Sequence, residues 1–172
     1  MPVASRVIES PVGPLLLVAR DGALAELLMT PFALPGGEQA DGADAAVLDD
    51  AERQLADYFA GRLTEFDLPL ALDGTPFQQR VWTELQRIPC GERISYGELA
   101  RRVGRPGSAR AVGLANGRNP VSIIVPCHRV VGSDGTLTGY GGGLDRKAWL
   151  LDHEARRGPG QLALGLEATA PA

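Results

Sequence analysis

Residues 123–131, IIVPCHRVV, place the nucleophile Cys127 directly beside His128, one of only two histidines in the chain. A free cysteine is a weak nucleophile at neutral pH because its thiol is mostly protonated, and a nearby base can change that. Successive side chains of an extended segment point to opposite faces. A nucleophile–base pair therefore needs a turn at Pro126 or a bridging water. The alternative is that both residues are simply buried, with Cys127 acting as a small hydrophobe.

A second group that could do chemistry lies in LLDHE, where His153 and Glu154 are adjacent in a predicted helix. A carboxylate can orient an imidazole and stabilise its cation. Cys127, His128 and Glu154 could thus form a relay of nucleophile, base and orienting group. The alternatives are a solvated Glu154 and, for His153, a partly exposed histidine at a helix end, which is the interpretation we favour for His153.

The remaining cysteine, Cys90, is predicted to be structural. Two cysteines can form one disulfide at most, which is not a disulfide framework. Two cysteines and two histidines at these spacings are also not typical of a zinc site. We therefore predict that the chemistry needs no metal and no cofactor.

The first part of the chain, which must help to position these groups, has an α/β pattern. Short apolar runs in residues 7–29 are separated by turn sequences, and Asp21–Gly22 is typical of a β-hairpin. A helix should follow, with Asp44 as its N-cap and an apolar stripe formed by Leu48, Ala51, Leu55 and Phe59. The extended stretch 65–74 is the best candidate for a domain boundary.

The second part of the chain is predicted to be mostly helical. Thr75–Gln78 and Ser95–Glu98 each match a capping box at the start of a helix, and Ser108 should cap another. The helices that begin after Ser95 and Ser108 are short and joined by a tight turn, which is a helix-turn-helix pattern. Such helix pairs are common and most of them bind no DNA, so the pattern alone does not indicate DNA binding. Residues 121–125 are typical of a buried strand or an extended segment, and residues 147–157 of a final helix.

The charge is distributed unevenly along the chain, whose formal net charge is −4. Residues 80–129 contain nine arginines and three glutamates, a net +6, while the other residues carry eight basic and 18 acidic side chains, a net −10. A basic segment on an acidic body is typical of a binding surface for a polyanion. A solvated basic helix face is the alternative, and charge alone does not decide between them.

Composition limits the class of protein. The 172 residues are 44% hydrophobic and 22% charged, as in ordinary globular proteins, and suffice for a real core. No apolar run approaches the length of a membrane span. The N-terminal sequence lacks the basic start and apolar segment of a signal peptide. These features predict a cytoplasmic protein that does not act at a membrane.

Several motifs in the second part together resemble one family. PCHRV, preceded by SYGELA and RAVGLANGRNP and followed by LTGYGGG and LLDHE, is similar to the O6-methylguanine-DNA methyltransferases, which reverse alkyl damage directly. The match is strong over residues 74–157, and SPVGPLLL and YFAGRLTEFDLPL are similar to that family's first domain. The resemblance implies a ribonuclease-H-like α/β domain over 1–72, with a small antiparallel sheet plus a helix. A mostly helical, winged-helix-like domain with the helix-turn-helix would span 73–158, and 159–172 would be a mobile tail.

The resemblance also implies catalytic roles. Cys127 would accept the alkyl group, with His128 as its base through a water and Glu154 orienting His128. Tyr96 would donate a hydrogen bond to the flipped guanine as charge develops on the leaving oxygen. Asn119 would tie the end of the recognition helix to the cysteine loop.

Further residues are implied to bind the substrate. Arg110 would enter the base stack and fill the gap that the flipped nucleotide leaves. Tyr140 and the glycines from Gly141 to 143 would form the pocket wall, and Pro126 its floor. Ser95 and Arg118 would complete the residues that face substrate and DNA. The partner would be double-stranded DNA containing O6-alkylguanine, bound by a monomer, and O4-methylthymine is a further candidate substrate that the sequence leaves open.

Two other functions remain as hypotheses. One is a lesion sensor that binds alkylated DNA and recruits other factors without transfer, although such relatives lack the acceptor cysteine. The other is a thiol hydrolase that uses Cys127, His128 and Glu154, which would need an oxyanion hole and a cleft unrelated to a helix-turn-helix.

Overall fold

The computed structural model describes residues 4–34, 42–140 and 142–156. Its first part contains an antiparallel sheet of three strands, in the spatial order of the sequence. The strands are β1 (Ala4–Ile8), β2 (Leu15–Arg20) and β3 (Ala23–Met29). The predicted hairpin joins β2 to β3, where Asp21 and Gly22 both have positive φ, 49° and 78°. That conformation is typical of the turns that fit the twist of a hairpin.

Helix α1 (Gly42–Phe59) packs on this sheet. Three residues of its predicted apolar stripe, Leu48, Ala51 and Leu55, are completely buried. Asp44 was predicted as the N-cap, which is wrong: it lies within the first turn, and its Oδ1 accepts a hydrogen bond from the backbone N–H of Gly22 at 2.7 Å. The side chain therefore fastens the helix to the hairpin.

Helix α2 (Pro76–Leu85) begins the second part, and both hydrogen bonds of its predicted capping box are present. Its apolar face includes Val81 and Trp82, which are buried. The indole Nε1 of Trp82 donates to the carbonyl of Ala115 at 2.9 Å. This bond fixes α2 against the second helix of the helix-turn-helix pair.

That pair consists of α3 (Tyr96–Arg102) and α4 (Ala109–Gly117). Ser95 caps α3, accepting from the Glu98 N–H, but the Glu98 carboxylate turns to Arg101 and Arg102, so the predicted capping box is only half formed. Ser108 precedes α4 as predicted but makes no side-chain capping bond. A short parallel pair, β4 (Ile94–Ser95) and β5 (Val130–Val131), lies beside α3.

The segment between α4 and β5 corrects one prediction. Residues 121–125 form turns instead of a strand, joined to β3 by a single bridge from Val121 to Leu27. Ile123 is fully buried with φ 73°, a conformation that β-branched residues rarely adopt. Cys127–Arg129 then form one 3₁₀ turn, and α5 (Leu144–Ala155) is the final helix of the described residues.

The fold class is as predicted: a small antiparallel sheet with a helix, followed by a mostly helical part with a helix-turn-helix. The two parts share one hydrophobic core, since residues of β2, α1, α2 and α4 belong to the same buried cluster. No helix in the described ranges is long and apolar enough to cross a membrane.

Candidate active site

Cys127 lies at the start of the 3₁₀ turn and at the wall of a cavity of about 260 Å³. Its backbone N–H donates to the carbonyl of Val125 at 2.8 Å, which bends the chain sharply at the buried Pro126. In an extended segment the side chains of Cys127 and His128 would point to opposite faces. In the 3₁₀ turn they point about 120° apart. Residues of both parts line the cavity: Leu28, Met29, Pro31, Phe32, Asn116, Gly117, Asn119, Ser122, Cys127, Gly139, Tyr140 and Gly142.

His128 points away from the cavity into the core, where it meets Glu154 of α5. The ring Nε2 of His128 and Oε2 of Glu154 are 2.7 Å apart, and the two residues are 0% and 1% exposed. The guanidinium of Arg129 binds the same carboxylate through Nε at 2.8 Å and Nη2 at 2.9 Å. Its Nη1 donates to the carbonyl of Ile88 at 2.5 Å.

This environment fixes the protonation states of the pair. Burial alone would raise the pKa of Glu154, but His128 and Arg129 outweigh it and hold that pKa well below its usual range. Burial lowers the pKa of His128, against the attraction of Glu154. A neutral imidazole facing a carboxylate must carry its proton on Nε2, which leaves Nδ1 as the acceptor. Nδ1 is buried and has no hydrogen-bond partner among the described residues, so it is free to take a proton.

The Cys127 thiol needs such a base. Burial raises its pKa, while a hydrogen bond from Asn119 and the positive charge of Lys147 act in the opposite direction. Lys147 is itself completely buried, and its Nζ donates to the carbonyl of Thr138 at 2.8 Å. Burial raises the pKa of the other cysteine, Cys90, to about 11, and it lies outside this cavity, as a structural residue would.

Two asparagines hold the cysteine turn from the side of α4. The Nδ2 of Asn119 donates to the carbonyl of Val125 at 2.7 Å, and its Oδ1 accepts from the N–H of Val121 at 3.0 Å. The buried Asn116 donates from Nδ2 to the carbonyl of Cys127 at 3.2 Å, and its Oδ1 has no partner in the described structure. Both side chains line the cavity and fix the backbone on which the thiol sits.

Two tyrosines lie beside the cavity. The hydroxyl of Tyr96 donates to the carbonyl of Thr138 at 3.2 Å, and burial raises its pKa, so it remains a donor at neutral pH. Tyr140 forms part of the wall, and burial raises its pKa strongly. A Cβ on Gly142 would come within 2.8 Å of the Tyr140 ring, so only glycine allows this close packing. Gly141, also assigned to the wall, lies outside the described residues.

The exposed face of α4 carries the candidate DNA contacts. Arg110 is near its start and Arg118 is its C-cap residue; both are exposed, and neither forms an ion pair with any described residue. Leu114, one turn after Arg110, is 66% exposed. Ser95 is at the start of the neighbouring α3. Arg129, which the charge count included in the basic surface, is instead buried against Glu154, a correction to that count.

Three residues of the site escaped the sequence analysis: Tyr58, Asn116 and Lys147. The hydroxyl of Tyr58, on α1, donates to Oε2 of Glu154 at 2.7 Å. Tyr58 follows Leu55 by three positions and so falls on the same apolar stripe, a signal that it is buried. Asn116 and Lys147 carry no such signal, because polar residues on short helices are usually exposed.

Known proteins of one family are similar to this chain over nearly its whole length. Residues 3–72 match a family model described as the ribonuclease-like domain of 6-O-methylguanine DNA methyltransferase, and residues 76–156 match the model of its DNA binding domain. Methylated-DNA–protein-cysteine methyltransferase of Mycobacterium tuberculosis strain H37Rv is 53% identical over 159 residues, 92% of this chain and 96% of the relative. The protein of the same name from Salmonella typhimurium is 48% identical over 161 residues, covering 86% and 92%.

A solved structure is similar as well. The crystal structure of Mycobacterium tuberculosis OGT in complex with DNA superposes with a TM-score of 0.81 at 53% sequence identity. The match covers 94% of this chain and 98% of that one. The relatives and this chain thus share both parts of the fold.

Proposed function

This chain belongs to the 6-O-methylguanine DNA methyltransferase family, and we propose that it repairs O6-alkylguanine in DNA by moving the alkyl group to Cys127. The observation that carries the proposal is that Cys127 lies at a cavity wall. The next residue, His128, is buried and hydrogen-bonded to Glu154. A thiol whose pKa burial raises can become a nucleophile only beside a base, and this pair supplies one.

The proposed reaction is one displacement. The thiol proton of Cys127 passes through a water to Nδ1 of His128, and Glu154 stabilises the imidazolium that forms. The sulfur attacks the alkyl carbon, so a C–S bond forms while the bond from that carbon to O6 of guanine breaks. The hydroxyl of Tyr96 donates to the guanine as negative charge develops on it, which lowers the barrier. The proton held by His128 finally passes to the guanine, which remains in the DNA strand as the neutral, repaired base.

The product explains why each molecule would act once. The alkylated Cys127 is a thioether, which has no good leaving group, and no described side chain offers a route for removing the alkyl group. The reaction is therefore stoichiometric and needs no cofactor. Glu154, His128 and Arg129 form a buried hydrogen-bonded network next to the cysteine turn.

DNA binding belongs to the same proposal. A base inside a duplex cannot reach a buried thiol, so the lesion must be flipped into the cavity, which costs a few kcal/mol. Arg110 is exposed on α4 without a carboxylate partner in the described structure, and its long side chain would fill the vacated stack. Arg118 and the helix start at Ser95 would contact the backbone and set register.

Three finer points are also proposed. The division into an N-terminal domain over 1–72 and a DNA-binding and acceptor domain over 73–158 is supported by the two ranges that the family models match. A cytoplasmic location and a monomeric state fit a protein that scans DNA. The pocket roles of Tyr140, Gly141 and Pro126 are assigned by the family resemblance, and the position of Tyr140 and Cys127 at one cavity supports the first of them.

The decisive experiment incubates the protein with duplex DNA that carries one O6-methylguanine and then measures peptide masses. We expect the Cys127 peptide to gain the mass of one methyl group, with at most one equivalent per protein. Cys127→Ser should abolish transfer and leave binding to the duplex nearly unchanged, with Cys90→Ser as the matched control that keeps transfer. Several turnovers per protein would contradict the stoichiometric reaction.

Two outcomes favour the other hypotheses. Tight binding of the modified duplex with no mass change would support the lesion sensor. A hydrolysed thioester or amide substrate, with Cys127 unmodified at the end, would support the thiol hydrolase.

A further inference from the structure

The carboxylate of Glu154 is shared by more donors than a simple relay requires. Oε1 accepts from Nε of Arg129, whereas Oε2 accepts from His128, from Nη2 of Arg129 and from the hydroxyl of Tyr58. Three donors thus converge on the oxygen that faces the imidazole. Tyr58 and Glu154 are 96 positions apart, so this bond brings the N-terminal part into the proposed relay.

The ring of Tyr58 is held where its hydroxyl must meet Glu154. It is 2% exposed and lies edge-on to Phe59, with ring centroids 5.1 Å apart, and against Phe66 at 5.4 Å. Its backbone carbonyl accepts a hydrogen bond from Nε2 of His153 at 2.7 Å. Packing and the backbone contact fix the ring, and among the described residues the hydroxyl bonds to Oε2 of Glu154. This hydrogen bond therefore joins α1 to α5.

The hydroxyl is also a permanent donor. Burial, and next the charge of Glu154, raise the pKa of Tyr58 well above its ordinary value. A donor on Oε2 draws negative charge away from the side of the carboxylate that the imidazole senses. The weaker that charge, the less an imidazolium at His128 is stabilised.

We propose that Tyr58 is a positioning residue that fixes Oε2 of Glu154 and thereby sets how tightly His128 holds a proton. The inference rests on the proposed function in one respect, that His128 is the base for Cys127. The hydrogen bond itself does not depend on the reaction. Four other titratable or charged groups act on the pair, and Tyr58→Phe leaves all of them in place: Arg129, Lys147, Cys90 and Tyr140. It also leaves in place Cys127 and His153, which are next to His128 and Glu154 in the chain.

The test titrates His128 directly. The chain has two histidines, so ¹⁵N-histidine labelling gives two ring systems, and the one missing in His128→Gln identifies His128. Tyr58→Phe removes only the hydroxyl, and we expect the pKa of His128 to rise by about one unit. Site-specific 3-fluorotyrosine in place of Tyr58 is a stronger donor with almost the same shape, and it should shift that pKa downwards.

The rate of Cys127 alkylation gives an independent readout. Alkylation by free O6-benzylguanine needs neutral His128, so the acid limb of its pH profile should move upwards in Tyr58→Phe and downwards with fluorotyrosine. Gln54→Leu is the matched control: Gln54 is buried on the same helix, and its side chain bonds only the backbone of Asp67. It should lower thermal stability and leave both the pKa and the limb unchanged.

The outcomes separate the inference from the proposed function. If Tyr58→Phe loses stability like the control while the pKa of His128 stays constant, Tyr58 is merely structural and the inference is overturned. If that variant does not fold, the sign of the fluorotyrosine shift decides, and no shift or an upward shift overturns the inference. If the parent protein shows no alkylation at all, the proposed function fails, and the titration still decides the role of Tyr58.

Discussion

Glu154→Gln is the substitution whose effect the structure allows us to work out in most detail. Glutamine removes the negative charge but keeps the shape of the side chain. Four hydrogen-bond donors, from Tyr58, His128 and Arg129, point at the carboxylate. An amide presents one acceptor oxygen and one NH₂ group, so at least one donor must face another donor. The guanidinium of Arg129 keeps its charge and loses its only carboxylate partner in the described structure.

The expected cost follows from burial. The side chains of Arg129 and Glu154 are 7% and 1% exposed, so solvent screens the uncompensated charge very little. Removing one partner of a buried ion pair costs about 3–5 kcal/mol, against a total stability of about 5–15 kcal/mol for a typical domain. For a chain of this length the melting temperature falls by about 2–4 °C per kcal/mol. The variant should therefore melt roughly 6–20 °C lower.

The assay combines denaturant unfolding with alkylation of Cys127 by free O6-benzylguanine, the latter at a temperature well below the melting point of the variant. Asp152→Asn is the matched control, because Asp152 lies on the same helix and pairs with Arg156 at 3.0 Å on the surface. Exposed pairs of this kind contribute about 0–1 kcal/mol. At low temperature, where the Glu154→Gln protein is folded, its alkylation should remain slower than that of the parent protein. The reason is that His128 has lost the charge that stabilises its protonated form.

A double variant tests the reasoning behind the number. Replacing Arg129 by Met in the Glu154→Gln protein removes the uncompensated cation, and we expect part of the lost stability to return while the slow alkylation persists. A loss below about 1 kcal/mol for Glu154→Gln, or no recovery in the double variant, would refute the buried-charge argument.

Three further outcomes are expected. Arg110→Ala should slow repair of matched duplex far more than alkylation by free O6-benzylguanine, with partial recovery on a mismatched duplex. As a control, Arg118→Ala should weaken binding of all duplexes alike. An equal loss on all substrates in Arg110→Ala would mean that Arg110 supports the fold. Lys147→Met should raise the pKa of the thiol in the pH dependence of alkylation by about one unit, because a buried positive charge beside it is removed, and an unchanged profile would contradict this. Stability should fall as the pH drops below about 6.5. The pKa of His128 is lowered in the folded protein, so the unfolded state binds more protons at this residue. His128→Asn should therefore flatten this part of a profile of melting temperature against pH.

How far the sequence could predict the molecule depends on the range of the interactions involved. The hairpin at Asp21 and the capping box at Thr75 are local features, decided by residues a few positions apart, and both were predicted. The strand predicted for 121–125 is wrong because β-branched residues are also selected for burial. In this segment a buried turn, with Ile123 in a left-handed conformation, has the same apolar pattern as a strand.

The site divides in the same way. The family motifs contain Cys127, His128 and Glu154, so resemblance was enough to propose them. Arg129 was counted as part of a basic surface because its charge is visible in the sequence and its buried partner, 25 positions away, is not. The bond from Tyr58 to Glu154 spans still more of the chain and follows from no periodicity. Such contacts depend on how elements pack, which the pattern of a single element does not contain.

The meeting of α1 and α5 at Glu154 also has a consequence for the order of events during synthesis. A nascent chain that has reached Cys127 already contains the thiol and the candidate base, but Glu154 lies 27 positions later. Domains tend to form as units from the N-terminus while translation proceeds, so Tyr58 can be in place before its partner exists. Until α5 emerges and docks, the carboxylate and its buried network are absent, and the thiol is an ordinary cysteine. Under the proposed function, the single alkyl transfer of each molecule would therefore begin only after the fold is complete.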